Sequence, residues 1–250
     1  MYIITKPKDF ELKHSKSDVF LVSYPRSGNT WIRLVLANYI WGNPKIDNLR
    51  DLQIYLPDTH YKNEKIKSKK VMGLFRIIKS HEPYRADYKD IIYIFRRPFD
   101  CAWSYYNFLN DLKGNFETFD EFQSSFFSGN LAYGRWDHHI NNWYLLHRGR
   151  RLFVCYEDLI KNPIKNITKM IEFLGLGFDN SRIKIALRNS TPDIVSKITN
   201  DVIFYGKEFD NFVRSPLGIE KQEKEKVRLG TEPNFSRLND IYDEFREKIK

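Results

Sequence analysis

The chain has 250 residues and a formal net charge of +9, from 41 Lys and Arg against 32 Asp and Glu. No apolar run is long enough to span a bilayer, the first 18 residues lack the apolar core of a signal peptide, and only Cys101 and Cys155 are present. An integral membrane segment, a disulfide framework and a thiolate metal cluster are therefore not expected, and a reducing, cytoplasmic setting is.

The basic residues are scattered, and over residues 219–226 they alternate with Glu. There is no arginine-rich arm and no zinc-finger, RNA-recognition or homeodomain signature. This pattern argues against nucleic acid and for a small, highly anionic ligand held by a few cations.

Val19-Phe20-Leu21-Val22-Ser23 reads as a buried strand that runs into a turn containing Pro25, Arg26, Ser27 and Gly28. An amphipathic helix follows at once, from Thr30 to Trp41. The order strand–turn–helix sets free backbone N–H groups at a helix N-terminus, together with the Ser27, Asn29 and Thr30 side chains and the Arg26 guanidinium. Phosphate or sulfate is attracted to such a place. The same residues would also serve an ordinary βα loop with side-chain caps. The triphosphate-binding pattern G-x-x-x-x-G-K-S/T is absent.

Pro57 to Lys70 reads as a polar connection, and Val71 to Ser80 as a strand ending in Lys79-Ser80-His81. A lone His is most often structural, but this one stands at a strand's carboxyl end, where open α/β sheets bind ligands. Asp90 to Phe95 is an apolar strand from which Arg96 emerges, and Pro98 opens a helix through Asn110. Ser104 lies two turns into that helix on the side of Arg96, so the two can share one phosphate. An ion pair of Arg96 with Asp100 would equally account for the charge.

Thr118-Phe-Asp-Glu121 has the form of a capping box. A helix over Tyr133 to His147, a strand over Arg151 to Tyr156 and a helix from Pro163 to Leu174 follow, the last stopped by Gly175 and Gly177. The charged stretch Asp201 to Pro233 has weak periodicity and reads as a long loop or lid. Continuous apolar strands separated by helices predict an α/β fold with a central parallel sheet flanked by helices. Motifs spread from residue 19 to residue 230 favour one domain over 1–250, with 1–18 as an N-terminal segment and 201–235 as a lid.

Tyr24-Pro25-Arg26-Ser27-Gly28-Asn29-Thr30-Trp31 closely resembles the 5′-phosphosulfate loop of the sulfotransferase family, the family's P-loop-like element. Arg96-Arg-Pro98-Phe-Asp100-Cys-Ala-Trp-Ser104-Tyr-Tyr106 resembles its pattern R-x-P-x-D-x-x-x-S-x-Y, which binds a 3′-phosphate. Lys79-Ser80-His81-Glu82-Pro83 resembles the segment whose His deprotonates the acceptor. Gly134 to Trp143, Val154 to Leu159 and Asn162 to Gly175 extend the resemblance over most of the chain.

The resemblance implies 3′-phosphoadenosine-5′-phosphosulfate (PAPS) as donor, 3′,5′-bisphosphoadenosine (PAP) as product, no metal, and a small-molecule or saccharide hydroxyl as acceptor. It makes His81 the general base, with Arg26 and Lys79 neutralising charge at the transfer centre. Ser27, Gly28, Asn29, Thr30, Arg96 and Ser104 would hold the donor's phosphates, and Trp31 and Tyr156 its adenine. On propensity alone, core packing explains Trp31 equally well.

The match frays at the C-terminus. Arg228-Leu229-Gly230 keeps the Arg and Gly expected to close over the 3′-phosphate but lacks the intervening Lys and the later Trp. Pro192-Asp193 follows Thr191 where an adenine-stacking Phe is expected, and Arg26 stands where many members have Lys. Tyr55, Tyr105, Phe108 and Trp136 are candidates for lining an acceptor pocket. Two other readings stay open, a non-catalytic PAPS- or PAP-binding protein and a nucleotide-dependent phosphotransferase, as does a homodimer.

Overall fold

The structure, a computed structural model, describes residues 12–59, 67–113, 116–199, 202–204, 207–209, 224–225, 227–228 and 230–249. Strands β1 (Val19–Ser23), β2 (Ile77–Ser80), β3 (Asp90–Phe95) and β4 (Arg151–Cys155) form a wholly parallel sheet in the order β2-β1-β3-β4. The helices in chain order are α1 (Asn29–Trp41), α2 (Leu49–Tyr55), α3 (Pro98–Lys113), α4 (Phe119–Ser128), α5 (Trp136–Leu146), α6 (Tyr156–Lys161), α7 (Pro163–Phe173), α8 (Asn180–Arg188), α9 (Pro192–Thr199) and α10 (Ser236–Lys248).

Strand side chains alternate between two apolar cores. Phe20 and Val22 of β1, with Tyr93 and Phe95 of β3, enter one core, while Val19, Leu21, Ile92 and Ile94 enter the other. A sheet buried on both faces needs no polar side, which is why these strands read as continuous apolar runs. Helices α3, α4, α5 and α10 close the first core through Tyr105, Phe122, Trp136, Trp143 and Phe245. Helices α1, α7 and α8 close the second through Val35, Leu36, Ile167, Met170 and Ile183.

Beyond shifts of a few residues at the ends of helices such as α3 and α5, four readings depart from the sequence-based expectations. The strand expected from Val71 begins only at Ile77, because Val71 and Phe75 bridge across a turn in which Met72 and Gly73 have φ of 50° and 74°. Tyr156 opens α6 instead of ending β4. Residues 57–59, expected in a polar connection, run beside β2: Lys79 N donates to Pro57 O at 2.7 Å and Thr59 N to Lys79 O at 3.0 Å. Within the expected lid, Val202–Phe204 pairs antiparallel with Lys207–Phe209, and described residues from 224 to 231 are helical ahead of a 3-10 turn at Glu232–Phe235. The rest of that segment, and residues 1–11 of the expected N-terminal segment, lie outside the described residues. The capping box forms as expected, with Thr118 Oγ1 accepting from Glu121 N at 3.2 Å.

A parallel sheet has all its carboxyl ends on one edge. From β1 the chain first adds β2 on one flank and then crosses to β3 on the other. That reversal beside β1 is where open α/β sheets bind ligands. It is also where Ser23, Ser80, Phe95 and Cys155 end their strands.

Candidate active site

The loop after β1 is held under conformational constraint. Arg26 has φ of 67°, a left-handed conformation that costs a non-glycine residue about 1–3 kcal/mol and persists where its surroundings fix it. Two contacts supply the fixing. Arg96 Nη1 donates to Arg26 O at 3.0 Å, and Arg26 Nε donates to Ser104 Oγ at 3.1 Å, with the Arg26 guanidinium 4.7 Å from the Phe108 ring centre. Gly28, φ 91°, precedes α1 and provides no side-chain cap. A Cβ at Gly28 would stand 2.3 Å from a Tyr156 ring carbon, so only glycine lets loop and ring approach. Helix α1 therefore starts with first-turn amides uncapped by a side chain, beside two guanidinium groups.

Of the loop side chains expected to meet phosphate, two turn inward. Ser27 is fully buried with Oγ 3.4 Å from Cys101 Sγ. Asn29 donates through Nδ2 to Leu21 O and Ser23 Oγ, each at 3.1 Å. Their side chains brace the loop, which leaves backbone N–H groups as their means of meeting an anion. Thr30 and Trp31 are half-buried, and the Trp31 ring meets the edge of Tyr156 at 6.2 Å between centres.

Arg96 leaves β3 with its guanidinium 4.8 Å from the Tyr156 ring centre. Ser104, expected beside Arg96, takes its hydrogen bond from Arg26, so α3 meets the loop through that residue. Asp100 pairs with Lys224 at 2.5 Å. Arg228 lines a cavity of about 270 Å³ over the start of α3 with Arg97, Asp100, Phe235 and Tyr242. Gly230 lines a different groove, between α4 and the residues around Asn234. Trp136 and Tyr105, expected at an acceptor pocket, are 2% and 4% exposed and belong to the core on the α3–α5 face.

His81 follows directly on β2. Its Nδ1 lies 2.7 Å from Ser23 O and 3.2 Å from Ser23 Oγ. A carbonyl oxygen can only accept, so Nδ1 carries the proton and Nε2 is the basic nitrogen. Burial, reinforced by the Lys79 ammonium, pushes the imidazole well below its ordinary pKa and keeps it neutral at pH 7.

Two ring N–H groups of α5 clamp the backbone here: His139 Nε2 donates to His81 O at 3.1 Å and Trp143 Nε1 to Glu82 O at 3.0 Å. His139 Nδ1 in turn accepts from Tyr93 O–H at 2.7 Å. His139 and Trp143 stand one turn apart on α5, and two ring donors at that spacing carry no sequence motif of their own.

Lys79 lies two residues before His81 on β2, and its Nζ is 2.5 Å from Asp58 Oδ2. Burial alone would raise the Asp58 pKa, but the Lys79 ammonium and the Arg33 guanidinium hold it well below the usual carboxylate range. Burial lowers the Lys79 pKa, with Asp58 opposing the fall. Cys101 is pushed up to about 12 by burial, which leaves it a neutral thiol. Among the described residues no cluster of His, Cys, Asp and Glu could hold a metal ion, and no helix is long and apolar enough to cross a membrane.

The profile of the sulfotransferase domain matches residues 16–229. The chain belongs to the sulfotransferase family. Among relatives of this sulfotransferase chain, sulfotransferase 1A1 of Rattus norvegicus is 33% identical over 178 residues, 63% of this chain and 60% of the rat protein. Sulfotransferase 4A1 of Homo sapiens is 31% identical over 196 residues, 74% of this chain and 68% of the human protein. The sulfotransferase chain thus spans about two thirds or less of these relatives' lengths. In fold it resembles mouse sulfotransferase SULT7A1 complexed with PAP, at TM-score 0.58 and 23% identity, covering 96% of this chain and 91% of that one. It also resembles retinol dehydratase in a complex with retinol and PAP, at TM-score 0.59 and 18% identity, covering 90% and 82%.

Proposed function

We propose that this sulfotransferase domain moves a sulfuryl group from PAPS to a hydroxyl of a small molecule or saccharide, with His81 as general base. The observation that carries the reading is the fixed tautomer of His81 at the β2 carboxyl end, beside Lys79 and joined through Ser23 to the anion loop. Membership of the family, and the PAP bound in structurally similar proteins, support the choice of donor.

The donor set fits a doubly phosphorylated nucleotide. The uncapped start of α1 and the Arg26 guanidinium suit the 5′-phosphosulfate, while Arg96, reaching the same loop from β3, suits the 3′-phosphate. The Tyr156 ring, between Arg96 and Gly28, and the Trp31 edge offer surfaces for adenine.

In the transfer, His81 Nε2 takes the acceptor's hydroxyl proton as the acceptor oxygen bonds to sulfur. The bond from sulfur to the bridging 5′-phosphate oxygen breaks in line, and Arg26 with the loop amides receives the charge left there. Lys79 offsets charge on the sulfuryl oxygens. Both cysteines are free thiols, in keeping with a reducing, cytoplasmic setting. The domain is read as one unit over 1–250, with part of 201–235 covering the donor.

Incubation with sulfur-labelled PAPS and a panel of phenols, steroid-like alcohols and sugars tests this reading. Labelled product from the parent chain and none from His81→Ala is expected. PAP binding with no labelled product from any acceptor would make the chain a nucleotide binder. Nucleotide-triphosphate consumption with acceptor phosphorylation would make it a phosphotransferase.

A further inference from the structure

Asp58 carries no motif, yet it touches the ammonium assigned to the transferring group. We propose that Asp58 is a positioning residue of the transfer centre, holding Lys79 aimed and charged beside His81; this rests on the roles of Lys79 and His81 proposed above.

The backbone fixes residue 58 before its side chain acts. Asp58 stands in parallel register with Lys79, hydrogen bonds at 57 and 59 flank it, and its own N–H donates to Gln53 Oε1 at 2.7 Å. The Lys79 and Asp58 side chains are 13% and 18% exposed, so their 2.5 Å contact is little screened by solvent. An ammonium has three donors, and one bond to Asp58 leaves capacity for sulfuryl oxygens.

Charge balance gives the carboxylate its importance. Lys79 is faced by Asp58, by Arg33 from α1, by His81 and by Glu82. Arg33 is buried and tied through Nε to Leu56 O at 3.0 Å, so its positive charge cannot move away. Without Asp58 two buried cations would face each other with Glu82 as the remaining counter-charge, and Lys79 would be driven toward the neutral amine. The imidazolium form of His81 would lose a stabilising neighbour as well.

The test compares the parent chain with D58N and D58E. Lys79 is titrated by pH-dependent acetylation read by mass spectrometry, which needs no turnover. In D58N, Lys79 is expected to lose its proton at least about one pH unit lower, a tenfold change in its protonation equilibrium, and D58E to keep the parent titration. In kinetics with PAPS, the basic limb of kcat/KM for D58N moves to lower pH and kcat at pH 8 falls at least about tenfold, while PAP affinity stays within about twofold. Unchanged Lys79 titration in D58N overturns the proposal. A shifted titration in a chain whose parent form transfers no sulfuryl group supports the hold on Lys79 and overturns the functional reading instead. If D58N does not fold, D58E decides: lower kcat with the limb in place supports the proposal, and parent kcat overturns it.

Discussion

His81 Nδ1 and the carbonyl oxygen of Ser23 lie 2.7 Å apart, joining the residue after β2 to the last residue of β1. One bond thereby sets both the tautomer of the imidazole and its place relative to the anion loop that begins at the next residue. His81→Ala is expected to lower kcat at least about 10²-fold, the contribution of a positioned general base. PAP affinity, measured by calorimetry, should stay within about twofold. Parent-level turnover would remove His81 from the chemistry.

The clamp from α5 predicts a second-order effect. Removing the His139 donor leaves His81 O without its ring partner and Tyr93 O–H without its acceptor. His139→Phe should destabilise the fold by about 1–3 kcal/mol, the cost of orphaning buried polar groups, and lower kcat more than it changes KM for the donor. Chemical denaturation together with steady-state kinetics checks both. A stability loss with kcat unchanged would confine His139 to packing.

His81 also gives the fold a pH dependence of definite sign. Its folded pKa is held well below the unfolded value of about 6.5. Between the two values the unfolded chain binds a proton that the folded chain refuses, so stability falls as pH drops below about 6.5. His147, also lowered by burial, acts in the same direction. Asp58 contributes separately, in the acid range below about 4, where protonation would remove its pairing. His81→Asn should flatten the slope of denaturation midpoint against pH between 7 and 5. An unaltered slope would mean that burial does not govern this titration.

Gly28→Ala joins two penalties: a φ of 91° and a Cβ that would stand 2.3 Å from the Tyr156 ring. It should weaken PAP binding and cost stability by about 1–3 kcal/mol. Tyr156→Ala in the same chain removes the clash but not the strain, so stability should recover in part only. Full recovery in thermal melts would mean that ring contact alone dictates glycine there.

The sheet was legible because strands buried on both faces are written as unbroken apolar runs, as in Asp90–Phe95. The β1 junction was legible because Pro25, Arg26 and Gly28 fix turn and charge together, and the β3 junction because Arg96 and Pro98 set a guanidinium at a helix start. The start of β2 was not, because Met72 and Leu74 look like strand residues while Gly73 beside them turns the chain. Helices α8 and α10 escaped because their apolar positions are few and face already formed cores. Ile183 and Ala186 are buried in α8, and Leu238, Tyr242 and Phe245 in α10. The partnership of Asp58 with Lys79 had no local signal, since it arises from edge pairing between segments about twenty residues apart.

The central claim is that the β1 and β3 junctions form one site for a nucleotide with phosphate at both ends. Calorimetric titration of the parent chain and Arg96→Ala with PAP and with adenosine 5′-phosphate measures this directly. The account predicts that the parent binds PAP more tightly, and that the substitution removes most of that preference while weakening adenosine 5′-phosphate binding by less, through the lost brace on Arg26 O. Equal affinity of the parent for both nucleotides, or an undiminished preference in Arg96→Ala, would contradict it.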